Sequence, residues 1–261
     1  MKKQSPALKF KRITVNSKDV NEGDLFVAIK GEKLDGHDFI FEALARGAQA
    51  CVVQNRNIDD ERLISVKDTR KELSRLAAEF YNHPSEKMKM IGITGTNGKT
   101  TTALLLDKIM TEAGFKTGLI GTIYYKVNGK KQTADRTTPD ALRINYLLDK
   151  MAGQIPICIT ECHSHALDQK RVNDIYYDAA LFTNLTPEHM DYHKNMKAYL
   201  EAKIKIFNNL KKNGRPILNM DDPRYKIISE RIDKEAYTYA IKGKADITAP
   251  DIESNIGGSK F

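Results

Sequence analysis

The sequence predicts an α/β protein, with a small α/β domain followed by a larger domain built on a mostly parallel sheet. Short apolar runs of strand length alternate with segments of helical periodicity along the chain. A glycine-rich turn at Gly95 follows one of these runs and opens a helix. The chain has 261 residues, of which 41% are hydrophobic, so it is long enough for two domains.

The first 86 residues are predicted to form the smaller domain. Its elements are a strand at 25–29, a helix at 38–46 and a strand at 50–53. Thr69 and Glu72 then fit a capping box, which predicts a helix that starts at the threonine and stops before Pro84. Over 82–89 a helix stop, a proline and charged residues coincide, so the domain boundary is placed after residue 86.

Residues 87–261 are predicted to form the larger domain. In chain order, its elements are a strand at 88–94, a helix at 99–113, a strand at 117–121, a hairpin turn at Asn128-Gly129, a helix capped by Thr138, strands at 155–161 and 179–183, a helix at 196–210, a strand at 216–220, a helix start at Asp222-Pro223 and short strands over 236–249. This alternation favours a parallel sheet with helices on its faces. Ligands of such sheets bind at the carboxyl ends of the strands.

Composition restricts the partners. The formal net charge of +8 favours an anionic partner. Aromatic residues make up 8% of the chain and tryptophan is absent, which argues against a nucleic-acid platform. No apolar run is long enough to span a membrane, and the start of the chain, 1–12, lacks the apolar core of a signal peptide. Three cysteines without a Cys-x-x-Cys pair favour the reducing cytoplasm.

The strongest motif is a candidate phosphate-binding loop. It comprises Gly95, Thr96, Asn97, Gly98, Lys99, Thr100 and Thr101. Glycines let backbone amides point at phosphate oxygens, the lysine reaches the outer phosphates and the first hydroxyl after it can ligate Mg2+. The Walker spacing requires a glycine six positions before the lysine, where this chain has Ile93. An ordinary glycine turn with a helix cap is the alternative.

Two further clusters follow predicted strands. Glu161 ends one strand, where its carboxylate could hold Mg2+ at the same edge as the phosphate loop. The segment 162–167 contains two histidines and Ser164, but no Gly-x-Ser-x-Gly elbow surrounds that serine, which argues against a hydrolase triad. A third cluster, 184–193, contains His189, a candidate metal ligand. Lys203, on the next helix, is by pattern alone an ordinary solvated lysine.

Taken together, these clusters resemble the Mur ligases. The resemblance covers essentially the whole chain, in the order of the family's motifs. The segments that show the resemblance are Asn16-Ser17-Lys18, Gly23 to Gly31, Asp35 to Asp38, the Gly95 to Thr101 loop, Thr137-Thr138-Pro139, Ser164 to Leu167 with Arg171-Val172, and Phe182 to Thr186 through His193. The resemblance implies a uridine-nucleotide-binding domain over 1–86 and a central ATP-binding domain over 87–261.

The activity that the resemblance implies is an ATP-dependent amide ligase of peptidoglycan precursor synthesis. It would add the third amino acid, L-lysine or meso-diaminopimelate, to UDP-N-acetylmuramoyl-L-Ala-D-Glu. The substrate carboxylate attacks the γ-phosphate of ATP to give an acyl phosphate, and the incoming amino group then displaces phosphate. Because charge on the transferred phosphoryl group must be neutralised, a lysine, Mg2+ and backbone amides are expected to dominate the site.

The resemblance also implies roles for single residues. Lys99 would bind the outer phosphates, Thr100 and Glu161 would hold one Mg2+, and His189 would help to hold a second. Lys203 matches the family's carbamylated lysine, which becomes a metal-binding carboxylate. The residues that match substrate contacts are Ser17, Thr137, Thr138, Gln169 and Arg171.

The chain departs from the family pattern in two ways. Similar ligases have Ser-Ser-His where this chain has His163-Ser164-His165, and we hypothesise that His163 still meets the anionic substrate. The sequence also ends near the end of the family's central domain, so the chain is expected to be a truncated or incomplete form. The C-terminal ligase domain would then come from a separate chain or from the full gene. The alternatives are a non-catalytic module that binds UDP-muramyl-peptide or ATP, and a basic nucleic-acid-dependent P-loop ATPase.

Overall fold

The computed structural model describes residues 10–55 and 59–260. The chain folds into two compact units, one ending at Phe80 and the other beginning at Tyr81. The boundary predicted after residue 86 lies a few residues further along, within the 3₁₀ turn Pro84–Lys87. Most of the start of the chain, to which the signal-peptide prediction refers, lies outside the described residues. No helix in the described ranges is long and apolar enough to cross a membrane.

In its described part, the first unit is a parallel sheet with two α-helices. Its elements are β1 (Ile13–Thr14), β2 (Leu25–Val27), α1 (Ile40–Ala45), β3 (Ala50–Gln54), β4 (Leu63–Val66) and α2 (Thr69–Phe80). The four strands lie in the order β1-β2-β3-β4, and each neighbouring pair is parallel. Phe26, Cys51 and Val53 of the sheet pack with Ile40 and Ala43 of α1 in its core. Burial of these apolar side chains supplies the main stabilising free energy of the unit.

The capping box predicted at the start of α2 is wrong by one residue. The side chain of Asp68 accepts a hydrogen bond from the amide of Lys71 at 2.9 Å, so this aspartate caps the helix. Thr69 is instead buried within the helix, with its amide 3.3 Å from the side-chain oxygen of Gln54. An acid directly before the threonine is an equally good N-cap, and here it takes that role.

The second unit contains a nine-stranded sheet and six helices in its described part. Its elements are β5 (Lys89–Thr94), α3 (Lys99–Glu112), β6 (Thr117–Ile120), β7 (Tyr124–Val127), β8 (Lys130–Thr133), α4 (Ala141–Met151), β9 (Ile157–Glu161), α5 (Ser164–Asp168), β10 (Tyr177–Phe182), α6 (Met190–His193), α7 (Met196–Ile204), β11 (Leu210–Asn219), α8 (Tyr225–Ser229), β12 (Tyr237–Ala240), β13 (Ile247–Thr248), β14 (Glu253–Asn255) and β15 (Gly258–Lys260). The sheet order is β13-β12-β11-β10-β5-β9-β6-β7-β8, and β14 and β15 form a separate hairpin.

The sheet is parallel except at the edge formed by β7 and β8, as the alternation of elements predicted. The hairpin predicted at Asn128-Gly129 joins those two antiparallel strands. The helix predicted over 196–210 is shorter, because α7 passes into a 3₁₀ turn at Lys205–Asn209. These differences fall at element ends, where capping and tertiary contacts decide the boundary.

Strand order brings the predicted motifs to one edge. In the registers, Thr94 of β5 lies opposite Phe182 of β10, and Ile93 lies opposite Glu161 of β9. The chain segments that follow these three strands therefore leave the sheet side by side. A core of buried side chains that includes Met90, Tyr177 and Phe182 holds the strands in this register.

Candidate active site

The glycine-rich loop connects β5 to α3. Gly95 and Gly98 have φ values of +142° and +84°, which side chains other than glycine rarely adopt. Gly98 is the N-cap residue of α3, so the free amides of the first helical turn face the loop. Thr101 lies exposed in that first turn. A concave run of amides at the start of a 14-residue helix offers hydrogen-bond donors of the kind that phosphate oxygens accept.

Lys99 folds back over the loop. Its buried ammonium donates to the carbonyl oxygens of Gly95 at 3.0 Å and Thr96 at 2.6 Å. Burial lowers the pKa of Lys99, while the carboxylates of Glu188 and Glu161 act in the opposite direction. The predicted phosphate-binding lysine thus lies within the loop, with its charge close to two carboxylates.

The segment after β10 forms hydrogen bonds with the glycine-rich loop. The amide of Asn97 donates to the side-chain oxygen of Asn184 at 2.9 Å, and the Asn97 side chain donates to Thr186 at 3.1 Å. The hydroxyl of Thr183 donates to the backbone oxygen of Asn97 at 2.7 Å. Asn184 and Thr186 were not predicted as site residues. Their position in the cluster 184–193, directly after a predicted strand, was the available signal.

Glu161 and Thr100 form the centre of the site. The Thr100 hydroxyl donates to Glu161 Oε2 at 2.7 Å. Thr122, which sequence reasoning missed, donates its amide to Glu161 Oε1 at 2.8 Å and places its hydroxyl 3.1 Å from Oε2. Gly121 leaves room for this carboxylate, because a Cβ at that position would lie 2.4 Å from Oε1.

These oxygens suit a hard cation. Two threonine hydroxyls and a carboxylate converge on one point, and Mg2+ prefers oxygen ligands. Within the described ranges, no group of three or more His, Cys, Asp or Glu side chains could hold a metal ion. A magnesium site here would therefore rely on Thr100, Glu161 and oxygens that a bound phosphate contributes.

The predicted substrate contacts of the second unit cluster beside Glu161. Thr137 lies 3.1 Å from the Thr122 hydroxyl. Arg171 donates to the backbone oxygen of Thr138 at 3.1 Å and to the side-chain oxygen of Gln169 at 2.6 Å. These contacts orient the guanidinium, as suits recognition of a carboxylate or a phosphate.

Thr138 does not cap a helix, contrary to the prediction. The side chain of Asp140 caps α4, accepting from the amide of Arg143 at 2.9 Å. The hydroxyl of Thr138 instead donates to the backbone oxygen of Glu161 at 2.7 Å and accepts from the amide of His163 at 3.1 Å. Thr138 thus connects the predicted substrate-binding segment to the end of β9.

Lys203 and His189 lie in a second group around Tyr199. The amine of Lys203 donates to the Gly95 carbonyl at 2.6 Å and lies 4.4 Å from the Tyr199 ring centroid. Burial, with the nearby charge of Lys99, lowers the pKa of Lys203 to about 7. His189 has a φ of +57°, and its Nε2 lies 3.6 Å from Glu188 Oε2. Lys203 is thus no solvated surface lysine.

His163 is half-buried at the start of α5, with its ring centroid 6.4 Å from that of His189. Burial, with the charges of Lys99 and Lys203, lowers the pKa of His163 to about 3. Its imidazole is therefore neutral at physiological pH. Ser164 and His193 lie 2.9 Å apart, but both are buried, with 1% and 6% exposure, which leaves no room for a substrate at this serine.

Ser17 lies in the first unit. It is buried in a 3₁₀ turn, where its hydroxyl donates to Glu42 of α1 at 2.9 Å. The side chain of Asn16 caps the same turn by accepting from the amide of Lys18 at 3.2 Å. The predicted nucleotide-contacting segment is therefore a capped turn with defined side-chain positions.

Comparison with known proteins defines the class. Residues 93–261 match the model of the Mur ligase middle domain, and residues 9–81 match that of the Mur ligase family catalytic domain. The chain belongs to the Mur ligase family, which confirms the family predicted from its motifs.

Two ligases of the same name are similar to this chain over most of its length. The chain is 39% identical over 97% of its length to UDP-N-acetylmuramoyl-L-alanyl-D-glutamate--2,6-diaminopimelate ligase of Clostridium perfringens (strain 13 / Type A), of which it covers 53%. It is 47% identical over 91% of its length to the ligase of the same name from Aquifex aeolicus (strain VF5), of which it covers 49%. The chain thus spans about half the length of the curated relatives it matches.

Solved structures agree with the fold. A solved structure of a ligase of that name superimposes with a TM-score of 0.82 at 25% identity, covering 99% of this chain and 54% of that one. MurF ligase from Thermotoga maritima in complex with ADP superimposes with a TM-score of 0.59 at 23% identity, covering 98% of this chain and 56% of that one. At that identity, the second likeness supports the fold alone.

Proposed function

We propose that the protein is an ATP-dependent acid–amino-acid ligase that extends UDP-N-acetylmuramoyl-L-Ala-D-Glu by one amino acid. The observation that carries the proposal is the 2.7 Å hydrogen bond between Thr100 and Glu161, which joins the phosphate loop to the end of the neighbouring strand. The relatives are named as diaminopimelate ligases, so we propose meso-diaminopimelate rather than L-lysine as the added amino acid. The first unit would bind the uridine nucleotide through the turn at Ser17.

Different residues of the proposed site would have different roles in the reaction. The loop amides and Lys99 would bind the ATP phosphates, and Thr100 and Glu161 would hold Mg2+, which supplies charge neutralisation to the transferred phosphoryl group. Arg171, held by Gln169 and Thr138, would orient the acceptor carboxylate for attack on the γ-phosphate. The amino group of the incoming amino acid then displaces phosphate from the acyl carbon.

The relatives are about twice as long as this chain, so we propose that a further ligase domain, on the same or a separate chain, receives the amino acid. We propose a cytoplasmic location, because three cysteines without a Cys-x-x-Cys pair are typical of a reducing compartment.

Binding and turnover test the proposal separately. Titration calorimetry should detect Mg-ATP and UDP-muramyl-dipeptide, each at one site. Lys99→Ala should weaken Mg-ATP binding at least about tenfold, because it removes a cation from the phosphate site. Lys108→Ala is the matched control, since Lys108 lies exposed on the same helix and pairs with Glu112.

Phosphate release then decides between functions. Release that requires both UDP-muramyl-dipeptide and meso-diaminopimelate supports the ligase. Binding of both ligands without release, even with a relative's remaining half supplied in trans, would favour the non-catalytic module. Release stimulated by DNA or RNA but not by muramyl-peptide would favour a nucleic-acid-dependent ATPase.

Carbamylation of Lys203 gives a second prediction. The amine is buried with a pKa of about 7, so a large unprotonated fraction is present near neutral pH. Only this form adds CO2, with formation of an N–C bond and loss of a proton. With isotope-labelled bicarbonate, carbon NMR should detect one protein carbamate. The reactive amine fraction should rise about tenfold from about pH 6 to about pH 8.

Two variants control the carbamate measurement. Lys203→Arg should remove the signal. Lys205→Arg should retain it, because Lys205 is 40% exposed and pairs with Asp168 at 2.6 Å. A signal that persists in Lys203→Arg would contradict the assignment.

The neutral state of His163 gives a third prediction. A neutral imidazole can offer the substrate one hydrogen bond but no charge, so His163→Ser should weaken UDP-muramyl-dipeptide binding by about three- to tenfold. Because the pKa is about 3, the ratio of the two affinities should stay constant between about pH 5.5 and about pH 8. Titration calorimetry at both pH values measures it. Equal affinities of the wild type and His163→Ser for UDP-muramyl-dipeptide would show that His163 does not contact this substrate. An affinity ratio that grows toward low pH would indicate a charged imidazole.

A further inference from the structure

A cavity opens at the edge of the large sheet opposite the phosphate loop. It lies between the end of α3, the start of β6, the β7–β8 turn and the segment before β9, and has a volume of about 440 Å³. Small-molecule sites usually enclose roughly 300–1,000 Å³. Parallel strands place their two ends at opposite edges, so this cavity is separate from the site at Glu161.

The walls of the cavity are apolar and open. Phe115 lines it with 49% of its surface exposed, and Ile155 lines it from the segment before β9. Gly114 and Gly129 also line it, and a Cβ on either would meet no atom within 4 Å. An aromatic ring that enters here can pack against Phe115 without moving backbone.

The floor of the cavity is polar but neutral. The ammonium of Lys126 lies 2.9 Å from Asp107 Oδ1, 2.9 Å from the Thr117 hydroxyl and 3.4 Å from the Thr111 hydroxyl. Its three donors are thereby occupied, and Asp107 balances its charge. Recognition of an anion must therefore come from the rim.

The rim carries unbalanced positive charge. Lys116 lines the cavity and forms no ion pair in the described ranges of the chain. A neighbouring cavity of about 340 Å³ shares Asn128 with the first, and Lys130 and Lys150 line it. Among the described residues that line the two cavities there is no aspartate or glutamate. The local field therefore favours an anion.

We propose that this cavity binds a small aromatic molecule that carries one anionic group. The ring packs between Phe115 and Ile155, and the anionic group faces Lys116, with the side-chain amide of Gln154 available for a further hydrogen bond. The anionic group of this molecule is a carboxylate, a sulfonate or a phosphate, which share the same negatively charged oxygens. The site is independent of the proposed ligase reaction.

Anilinonaphthalene sulfonate is a suitable probe, because it combines an aromatic system with one sulfonate. Fluorescence titration should give one saturable site, and the amide chemical shifts of Gly114, Phe115, Gly129 and Gln154 should change most. Phe115→Ala and Lys116→Glu should each weaken binding at least about tenfold. Mg-ATP at saturation should not displace the probe.

Matched controls separate this site from general apolar binding. Ile109 is 62% exposed on α3 but does not line the cavity, so Ile109→Ala should leave the affinity unchanged. Lys226 is exposed on α8, so Lys226→Glu controls for net charge. Thermal melting by circular dichroism verifies that each variant is folded. Chemical-shift changes centred on Leu105 and Ile109, which are exposed on α3, would overturn the proposal. Unaltered probe affinity in folded Phe115→Ala and Lys116→Glu would also overturn it.

Discussion

Glu161→Gln is expected to lower the rate of phosphate release by about a hundredfold or more and to weaken nucleotide binding in the presence of Mg2+. The substitution keeps the size of the side chain but removes its charge, and it replaces one metal-binding oxygen with an amide. Thr100 and Thr122 both bond to Glu161 Oε2, so the new amide group also misplaces a hydrogen-bond donor at that position.

The measurement is nucleotide affinity by calorimetry with and without Mg2+, together with phosphate release. The wild-type protein should bind more tightly with the metal, and the variant should lose most of that difference. Glu201→Gln is the matched control, because Glu201 lies outside the site and pairs with Arg231. If Glu161→Gln retains the metal-dependent gain in affinity, Glu161 does not hold the ion.

Gly95→Ala is expected to reduce Mg-ATP affinity by about a hundredfold. A Cβ at this position would lie 1.9 Å from the Thr183 hydroxyl and 3.1 Å from the amide of Asn184. The φ of +142° is also strained for alanine, which costs about 1–3 kcal/mol. Relief of the overlap requires the loop to separate from the Thr183–Asn184 segment, which moves the amides that face the phosphates.

A glycine elsewhere isolates the steric effect. Gly153 has a φ of +79°, but a Cβ there would meet no atom within 4 Å. Gly153→Ala should therefore lower the free energy of unfolding by about 1 kcal/mol and leave Mg-ATP affinity unchanged. The comparison uses calorimetry for affinity and denaturant unfolding for stability. If Gly95→Ala binds Mg-ATP within about twofold of the wild-type affinity, contact between the loop and the Thr183–Asn184 segment is unnecessary for binding.

Much of the fold could be predicted because it depends on local signals. Apolar runs, glycine stops and the Asn128-Gly129 turn identify most strands and helices of the second unit, and their alternation predicts the parallel sheet. The exact caps could not be predicted. Asp68 and Asp140 cap helices that the sequence assigned to Thr69 and Thr138, because several adjacent side chains can each serve and tertiary contacts choose among them.

The candidate site was predictable where residues belong to a continuous motif. The loop at Gly95–Thr101 and the strand-end position of Glu161 follow from chain order. Thr122 could not be found this way, because it contacts Glu161 across 39 positions of sequence. Gly121 was missed for the same reason. Asn184 lies in the predicted cluster 184–193, but its contact with Asn97 spans 87 positions of sequence and was not predicted. Their roles depend on the neighbour that the sheet order provides, which no local pattern encodes.

The position of Glu161 has a consequence for inhibition. Its carboxylate bonds to Thr100 and Thr122, while its backbone oxygen accepts from the hydroxyl of Thr138 at 2.7 Å. One residue therefore joins the nucleotide half of the proposed site to the acceptor half. We expect escape mutations that loosen an inhibitor at Thr137 or Thr138 to impair use of ATP as well. Resistance through this segment would carry a fitness penalty that changes elsewhere on the surface avoid.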